Sequence, residues 1–218
     1  TEAYAEPNYL RFNNDQPNDP LYSKQWAHQS TNIAAVWDST RGSSNLVIAV
    51  IDSGVALSHP DLAAKIWRSS SGMPGRDFVD LDTASLVARG YVLDPNEDYT
   101  VQDDDPSDYF GHGTHCAGIA AGATNNGKGI AAVAIAPRIM ALRAGYYIGV
   151  PMYGTTWTAV VASAGTVQAI DYAIANGASV ISMSFGGPVA SQAEADAVNR
   201  ALAAGLVLVA AAGNDNSS

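Results

Sequence analysis

Four mostly apolar runs, the first of them continuous and largely β-branched, set the strongest limit on what this chain can fold into. They cover residues 46–51, 138–142, 178–183 and 206–211. Apolar runs without polar alternation are typical of strands that are buried on both faces of a parallel sheet. Between the last two runs, Ser191 and Glu194 form a capping box, which predicts a helix that ends at Gly205.

Two further segments have helical character. Residues 30–37 place Ile33, Val36 and Trp37 at helical spacing after Ser/Thr caps, which predicts a short helix. Residues 156–176 predict a longer helix that stops before Gly177. Strands and helices therefore alternate along the chain. This order predicts an α/β fold, a doubly wound and mostly parallel sheet with helices on both faces.

The chain is expected to form a single domain over residues 1–218. Its 218 residues, of which 47% are hydrophobic, can bury one substantial core. Residues 1–20 are polar and lack periodicity, so we expect them to form an extended arm on the surface. Residues 69–109 also lack clear periodicity and are interpreted as an irregular insertion.

Composition excludes several classes of function. Eleven basic and 21 acidic residues give a net charge of −10, which argues against a nucleic-acid partner. No apolar run reaches the ~20 residues that a membrane-spanning helix needs, so no membrane partner is expected. The single cysteine, Cys116, cannot form an internal disulfide. The first residues do not resemble an intact signal peptide, which fits a processed secreted protein or a cytoplasmic one.

The first apolar run ends at Asp52, and Ser53 and Gly54 follow it. In open parallel sheets, functional side chains gather at the carboxyl ends of the strands, and Asp52 falls at such a position. A carboxylate there could orient a catalytic base. It could equally cap the turn that follows, as strand-end aspartates commonly do.

His112 lies between Gly111 and Gly113 at the start of a segment of small residues. Such a segment is typical of a helix packed closely against a sheet, and an imidazole at its start could serve as a general base. His115 lies about one turn further along, and we expect it to make a buried or supporting hydrogen bond.

The last apolar run leads into Ala211, Ala212, Gly213 and Asn214. Small residues keep a pocket open, and the side-chain amide of an asparagine can donate a hydrogen bond to a developing oxyanion. An ordinary Gly-Asn turn would have the same sequence.

Taken together, these motifs closely resemble the subtilisin-like serine peptidases. The resemblance lies in Asp-Ser-Gly-Val at residues 52–55, His-Pro-Asp-Leu at 59–62, Gly-His-Gly-Thr-His-Cys-Ala-Gly at 111–118, Ser-Phe-Gly-Gly-Pro at 184–188 and Ala-Ala-Gly-Asn at 211–214. Pro-Asn-Asp-Pro at 17–20, Cys116 and Thr-Asn-Asn at 124–126 are similar to the thermitase branch. The motifs occur in the family's order over most of the chain, which implies a subtilisin-like catalytic domain.

The resemblance implies roles for individual residues. Asp52 would orient His112, His112 would be the general base and then the general acid, and Asn214 would donate to the oxyanion. The backbone of an extended polypeptide substrate would pair with Ser184, Phe185 and Gly186. The other wall of the primary specificity pocket would be formed by Ala211, Ala212 and Gly213.

The resemblance also implies Ca²⁺ as a cofactor. The side chains of Asp19, Asp61 and Asn126 match the family's ligands, with the carbonyl groups of Thr124, Lys128 and Ile130 completing the shell. Three turn residues that merely lie close together are the alternative. An acidic loop with Asp77, Asp80 and Asp82 resembles a second calcium site, in which Asp103, Asp105 and Asp108 could replace some ligands.

Cys116 invites two interpretations. A thiol near His112 could be a nucleophile, but its helical spacing places it about one turn further along. We therefore expect a small, buried side chain that faces the core.

The family's serine nucleophile occurs in a Gly-Thr-Ser-Met-Ala motif, which these 218 residues do not contain. Ser184 follows Met183 in a predicted strand and is not in a nucleophile elbow. The chain is therefore interpreted as the N-terminal portion of a catalytic domain, inactive by itself, with the C-terminal remainder that carries the serine as its partner. Strand 206–211 would then expose apolar surface.

The complete protein is predicted to be a secreted, calcium-stabilised serine endopeptidase. The alternative is a non-catalytic relative that binds peptides or a partner protein along the segment at Ser184. A nucleotide-binding Rossmann domain shares the parallel sheet, but no Gly-x-Gly-x-x-Gly follows the first strand.

Overall fold

The computed structural model describes residues 16–151, 155–187 and 189–214. The strands in this part of the chain are β1 (Val47–Asp52), β2 (Gly75–Asp77), β3 (Val92–Leu93), β4 (Arg138–Arg143), β5 (Gly145–Pro151), β6 (Thr155–Val161), β7 (Val180–Met183) and β8 (Val207–Ala210). The α-helices are α1 (Trp26–Ser30), α2 (Ile33–Ser39), α3 (Thr83–Ala88), α4 (His112–Ala121), α5 (Ser163–Ala175) and α6 (Gln192–Ala203).

Five strands form the central sheet in the order β2-β4-β1-β7-β8. All neighbouring strands are parallel, and the register pairs Asp52 with Arg143 and Met183 with Ala210. Strand β1 lies in the middle of the sheet, so its carboxyl end has a neighbouring strand on each side. The doubly wound, mostly parallel α/β fold predicted from the sequence is confirmed.

The alternation of side chains along β1 divides the core into two layers. Ala49 and Ile51 pack in a cluster with residues of α5 and α6 on one face. Val50 packs on the other face with Ala117 and Ala121 of α4. Because every second side chain of a strand points to the same face, a continuous apolar run is needed to fill both layers.

The helix predicted over residues 156–176 is wrong in its first part. Residues Thr155–Val161 form strand β6, which pairs with β5 in an antiparallel hairpin, and the helix α5 begins only at Ser163. With β3, the hairpin forms a second, three-stranded sheet in which β6 is an edge strand. The β-branched composition of this segment favours a strand, and antiparallel pairing with the preceding strand β5 stabilises it.

Other local expectations also differ from the structure. The 69–109 tract contains β2, α3 and β3 rather than irregular chain alone. Helix α2 begins after Asn32, which is left-handed (φ 52°) and makes no side-chain cap, so the predicted Ser/Thr cap is wrong. Of the expected surface arm, residues 1–15 lie outside the described part, and Asp19 is buried. Among the described residues, no helix combines the length and hydropathy that crossing a membrane requires.

Candidate active site

Asp52 is held rigidly at the carboxyl end of β1. The residue is only 3% exposed, and its Oδ1 accepts a hydrogen bond from the backbone N–H of Ser53 at 2.7 Å. Oδ2 is buried and has no hydrogen-bond partner in the described part of the chain. Gly54, two residues after Asp52, has a left-handed φ of 112°. The chain turns away at this glycine, which leaves the Asp52 carboxylate at the carboxyl end of the sheet.

His112 is the first residue of α4, and its ring meets Asp52. The imidazole Nδ1 lies 2.7 Å from Asp52 Oδ1. A carboxylate can only accept, so Nδ1 carries the proton and the lone pair of the neutral ring is on Nε2. The imidazole is 43% exposed, whereas the Asp52 side chain is 5% exposed. The pair therefore has one buried, fixed member and one member that solvent or a ligand can reach.

The glycine after His112 is required by the close approach of α4 to the tip of β1. A Cβ added at Gly113 would lie 2.2 Å from the carbonyl oxygen of Gly54 and 2.9 Å from Cβ of Asp52. At Gly118, in the same helix, an added Cβ would come no closer than 3.9 Å to any described atom outside the neighbouring helix backbone. The motif thus has a glycine where the helix contacts Asp52.

A second carboxylate, Asp108, connects the start of α4 to the carboxyl end of β1 through hydrogen bonds. It accepts hydrogen bonds from the backbone N–H groups of Phe110, Gly111 and Thr114 and from the hydroxyls of Thr114 and Ser53. Burial by itself would raise the pKa of Asp108, but these hydrogen bonds outweigh it and hold the pKa below its ordinary value. The sequence suggests Asp108 only as a replacement ligand in the second calcium site. Its position just before the N-terminus of α4 is the sequence signal that indicates a helix-capping role.

A cavity of about 250 Å³ opens beside the imidazole. Its lining residues are Asp52, Ser53, Phe110, His112, Thr158, Ala159, Val161, Ser184, Phe185 and Gly186. Three residues predicted to bind substrate therefore lie together with the Asp52–His112 pair. They face the edge strand β6 across the cavity, and an edge strand has free backbone groups that can pair with an extended peptide.

The other predicted wall is not part of this cavity. Ala211, Ala212, Gly213 and Asn214 are exposed and are not among the described residues that line it. The backbone N–H of Ala211 donates to the carbonyl of Met183, which continues the pairing of β7 and β8. Asn214 therefore follows the strand next to the cavity, without a side-chain hydrogen bond to any described residue.

No described serine is bonded to the base. Within the ranges described, the hydrogen bonds include none to Nε2 of His112, and the Ser53 hydroxyl donates to Asp108. His115 was expected to make a buried or supporting hydrogen bond. It is instead exposed, and in the described part of the chain its side chain has no hydrogen-bond partner.

Cys116 packs against the core cluster, as expected, but it is half-buried and not buried. Its Sγ lies 3.9 Å from His112 Nδ1. Asp52, His112 and Cys116 bring a carboxylate, an imidazole nitrogen and a thiol together. Burial raises the pKa of the Cys116 thiol, and Nδ1 is already bonded to Asp52. The geometry does not favour a thiolate nucleophile.

The residues predicted to hold calcium gather around the 124–130 loop. Asp19 and Asp61 are 3% and 5% exposed, respectively. Asp19 accepts hydrogen bonds from the N–H groups of Asn125 and Asn126, and Asp61 accepts from Ile130 N–H and from the side-chain amide of Asn126.

Neither carboxylate is paired with a cation. Among the described residues, no ion pair includes Asp19 or Asp61. The Thr124 hydroxyl accepts a hydrogen bond from Ala132 N–H, and Asn126 Oδ1 accepts one from Lys128 N–H. Two buried carboxylates without a cationic partner are costly unless a positive charge compensates them, so Asp19 and Asp61 fit a hard cation.

The second acidic loop is arranged differently from the calcium site that its sequence resembles. The carboxylate of Asp77 is bonded to the guanidinium of Arg143, which also binds Glu97 and the carbonyl of Asp98. Asp82 accepts a hydrogen bond from Ser85 N–H and caps α3. A buried guanidinium therefore supplies the positive charge at Asp77.

Comparison with known proteins gives consistent matches. A model of the Subtilase family matches residues 43–218. "Thermophilic serine proteinase" of Bacillus sp. (strain AK1) is 41% identical over 216 residues, which are 99% of this chain and 45% of that protein. "Thermitase" of Thermoactinomyces vulgaris is 40% identical over 199 residues, 91% of this chain and 58% of that protein.

A third relative has an informative name. "Extracellular protease" of Xanthomonas campestris pv. campestris is 35% identical over 233 aligned positions, which cover 98% of this chain and 39% of that protein. The chain thus spans about half the length of the relatives it matches, and somewhat less of this one.

Proposed function

This chain belongs to the subtilase family, and from that premise we propose that the full-length protein is a serine endopeptidase. The single observation that carries the proposal is the 2.7 Å contact between His112 Nδ1 and Asp52 Oδ1 beside an open cavity. This contact orients the ring so that its basic nitrogen, Nε2, is available for a proton.

In the proposed reaction, Nε2 of His112 takes the proton of a serine hydroxyl as the oxygen attacks the carbonyl carbon of the scissile peptide. Asp52 stabilises the imidazolium that forms. The side-chain amide of Asn214 donates to the developing oxyanion. His112 then gives its proton to the leaving amine, and water hydrolyses the acyl-enzyme through the same base.

We propose that the serine comes from a segment outside these 218 residues. The support is that the described residues supply no serine bonded to Nε2, while β8 presents Val207 and Val209 at 58% and 55% exposure. Exposed apolar strand surface favours a further packing partner. By itself the 218-residue chain is therefore expected to be inactive. Intact mass spectrometry of the purified active protein tests this, because an active species consisting of residues 1–218 alone would contradict it.

The substrate is proposed to be an extended polypeptide. Its backbone would pair with residues 184–186, and Ala211, Ala212 and Gly213 would form the other wall of the pocket beside the cut bond. Pairing through the backbone makes little sequence demand, so we expect broad specificity, with large apolar side chains accepted next to the scissile bond.

Calcium is proposed as a structural cofactor. Asp19, Asp61 and Asn126 would hold it by side-chain oxygens, with the carbonyls of Thr124, Lys128 and Ile130 as further ligands. When bound, the ion would neutralise the two buried carboxylates and fix the loop. Secretion is also proposed, since one relative is named an extracellular protease. Activity found only in washed cells, and not in the culture medium, would contradict it.

The decisive experiment uses the full-length protein and a fluorophosphonate probe, which labels only an activated serine. We expect labelling and peptide hydrolysis by the native protein, and loss of both in His112→Ala. His115→Ala is the matched control, because His115 lies in the same helix but is exposed, and its side chain is bonded to no described residue. A native protein that binds peptides without being labelled would instead be a non-catalytic relative.

A further inference from the structure

A second cavity, of about 500 Å³, adjoins the cavity at His112. The two share the lining residues Thr158, Ala159, Val161, Phe185 and Gly186. The larger cavity continues over β7 and between α5 and α6. A peptide that lies along Phe185 and Gly186 would therefore have one of its side chains beside this cavity.

The walls of the larger cavity are mostly apolar. Ile170 is fully buried, Met183 is 8% exposed, and Phe185 and Val198 are half-buried. Among the described lining residues, Glu194 is the one ionisable side chain. The cavity thus combines a hydrophobic wall with a single negative charge.

The carboxylate of Glu194 has no partner among the described residues. In a complete capping box it would accept a hydrogen bond from Ser191 N–H, but only the other half is present, in which Glu194 N–H donates to the Ser191 hydroxyl at 3.3 Å. Arg200 of the same helix is bonded to Asp171 and does not line the cavity. The negative charge is therefore available to a ligand.

From this geometry we propose that Glu194 makes the larger cavity a binding site for a basic side chain of the substrate, away from the scissile bond. Lysine and arginine have an aliphatic stem that packs on apolar walls and a cationic end that binds a carboxylate. An acidic side chain would be repelled, and the net charge of −10 adds a weaker attraction for basic peptides. This inference rests on the proposed peptidase function.

The test uses the full-length protein and fluorogenic peptides that differ at one position only. That position carries lysine, norleucine or glutamate and is moved along the peptide on either side of the scissile bond. Lysine and norleucine have stems of similar shape, so their comparison isolates the charge. At one position we expect lysine to give about tenfold higher kcat/KM than norleucine, with a difference that shrinks at high salt.

Substitutions at Glu194 test whether this residue causes the lysine preference. Glu194→Gln should lower the lysine preference at this position to the small value that the net charge gives at every other position, and Glu194→Lys should favour glutamate there. Asp196→Asn is the matched control, because Asp196 is exposed on the same helix and is not among the lining residues. It should leave the preference unchanged.

Equal rates for lysine and norleucine at every position, or a position-specific lysine preference that survives Glu194→Gln, would overturn the inference. If no peptide is cleaved at all, the peptidase function fails instead. Fluorescence anisotropy of the labelled lysine and norleucine peptides then still decides whether the cavity prefers the basic side chain.

Discussion

At the scale of single residues, Arg143 carries the largest buried charge interaction in the described part of the chain. Its side chain is 0% exposed and is bonded to Asp77 and Glu97, which are 2% and 1% exposed. Arg143 of β4 pairs in register with Asp52 of β1 in the central sheet. The ion pairs therefore tie the 69–109 tract to the strand tip next to the candidate site.

Replacing this arginine should be severely destabilising. Arg143→Met leaves two buried carboxylates without a cation, and we expect it to lower the free energy of unfolding by about 3 to 5 kcal/mol. Arg200→Met is the control, since Arg200 and Asp171 are each 48% exposed, and it should leave the free energy of unfolding nearly unchanged. Urea denaturation of the full-length variants measures both, and similar losses would contradict the prediction.

The same cluster should influence how stability depends on pH. Burial raises the pKa of Asp77 to about 6 against the opposing effect of Arg143, and burial also raises the pKa of Glu97. An acid whose pKa is higher in the folded state than in the unfolded state binds more protons when folded. Its stabilising contribution is therefore complete at low pH and is lost as the pH rises through the folded-state pKa.

The direction of this pH dependence can be tested with Asp77→Asn, whose side chain cannot titrate. The native protein's free energy of unfolding, minus that of Asp77→Asn, should fall as the pH rises from the ordinary value of 3.8 to about 6. Urea denaturation at several pH values measures this difference. A difference that increases over this range would show that Arg143, and not burial, dominates at Asp77.

At the scale of secondary-structure elements, the contact between α4 and the tip of β1 sets the position of His112. Gly113→Ala would place a Cβ 2.2 Å from Gly54 O, so the helix must move away from the strand. A displacement of about 1 Å at a catalytic base can lower the rate about a hundredfold. We therefore expect at least that loss in kcat, measured by peptide hydrolysis with the full-length protein.

Gly118→Ala is the matched control in the same helix. Its new Cβ meets nothing closer than Ile130 Cδ1 at 3.9 Å. Alanine is the better helix former, so stability should rise by about 0.5 to 1 kcal/mol with unchanged activity. Equal activity of both variants would mean that the packing of α4 does not position His112.

At the scale of the whole molecule, the proposed calcium ion would join the N-terminal segment at Asp19 to the 124–130 loop and the segment at Asp61. Removal of the ion by a chelator should lower Tm, because a ligand at 100 times its Kd contributes about 2.7 kcal/mol. Asp61→Asn should show a lower Tm that no longer responds to calcium. Differential scanning calorimetry of the full-length protein measures this.

The acidic loop at Asp80 provides the control for the calcium prediction. Asp80 is exposed, and Asp80→Asn should keep the full response of Tm to calcium. Calcium dependence that survives Asp61→Asn but is lost in Asp80→Asn would move the site to the second loop and contradict the proposal.

The sequence determined the central sheet because a strand buried on both faces must be apolar throughout, and β1 and β4 lie where the runs predicted them. The meeting of Asp52 and His112 was predicted through the resemblance of their motifs to the subtilisin-like serine peptidases. The capping-box helix α6 follows from local chemistry at Ser191.

Only the tertiary structure decided the features that depend on which strands pair and which side chains meet. The segment Thr155–Val161 is a strand because β5 pairs with it. Asp77 meets Arg143 and not a shell of calcium ligands, and Asp108 holds α4 at the strand tip. The apolar periodicity of a sequence shows which face of an element is buried. It does not show which charged residues of different elements meet, since that depends on how the elements pack.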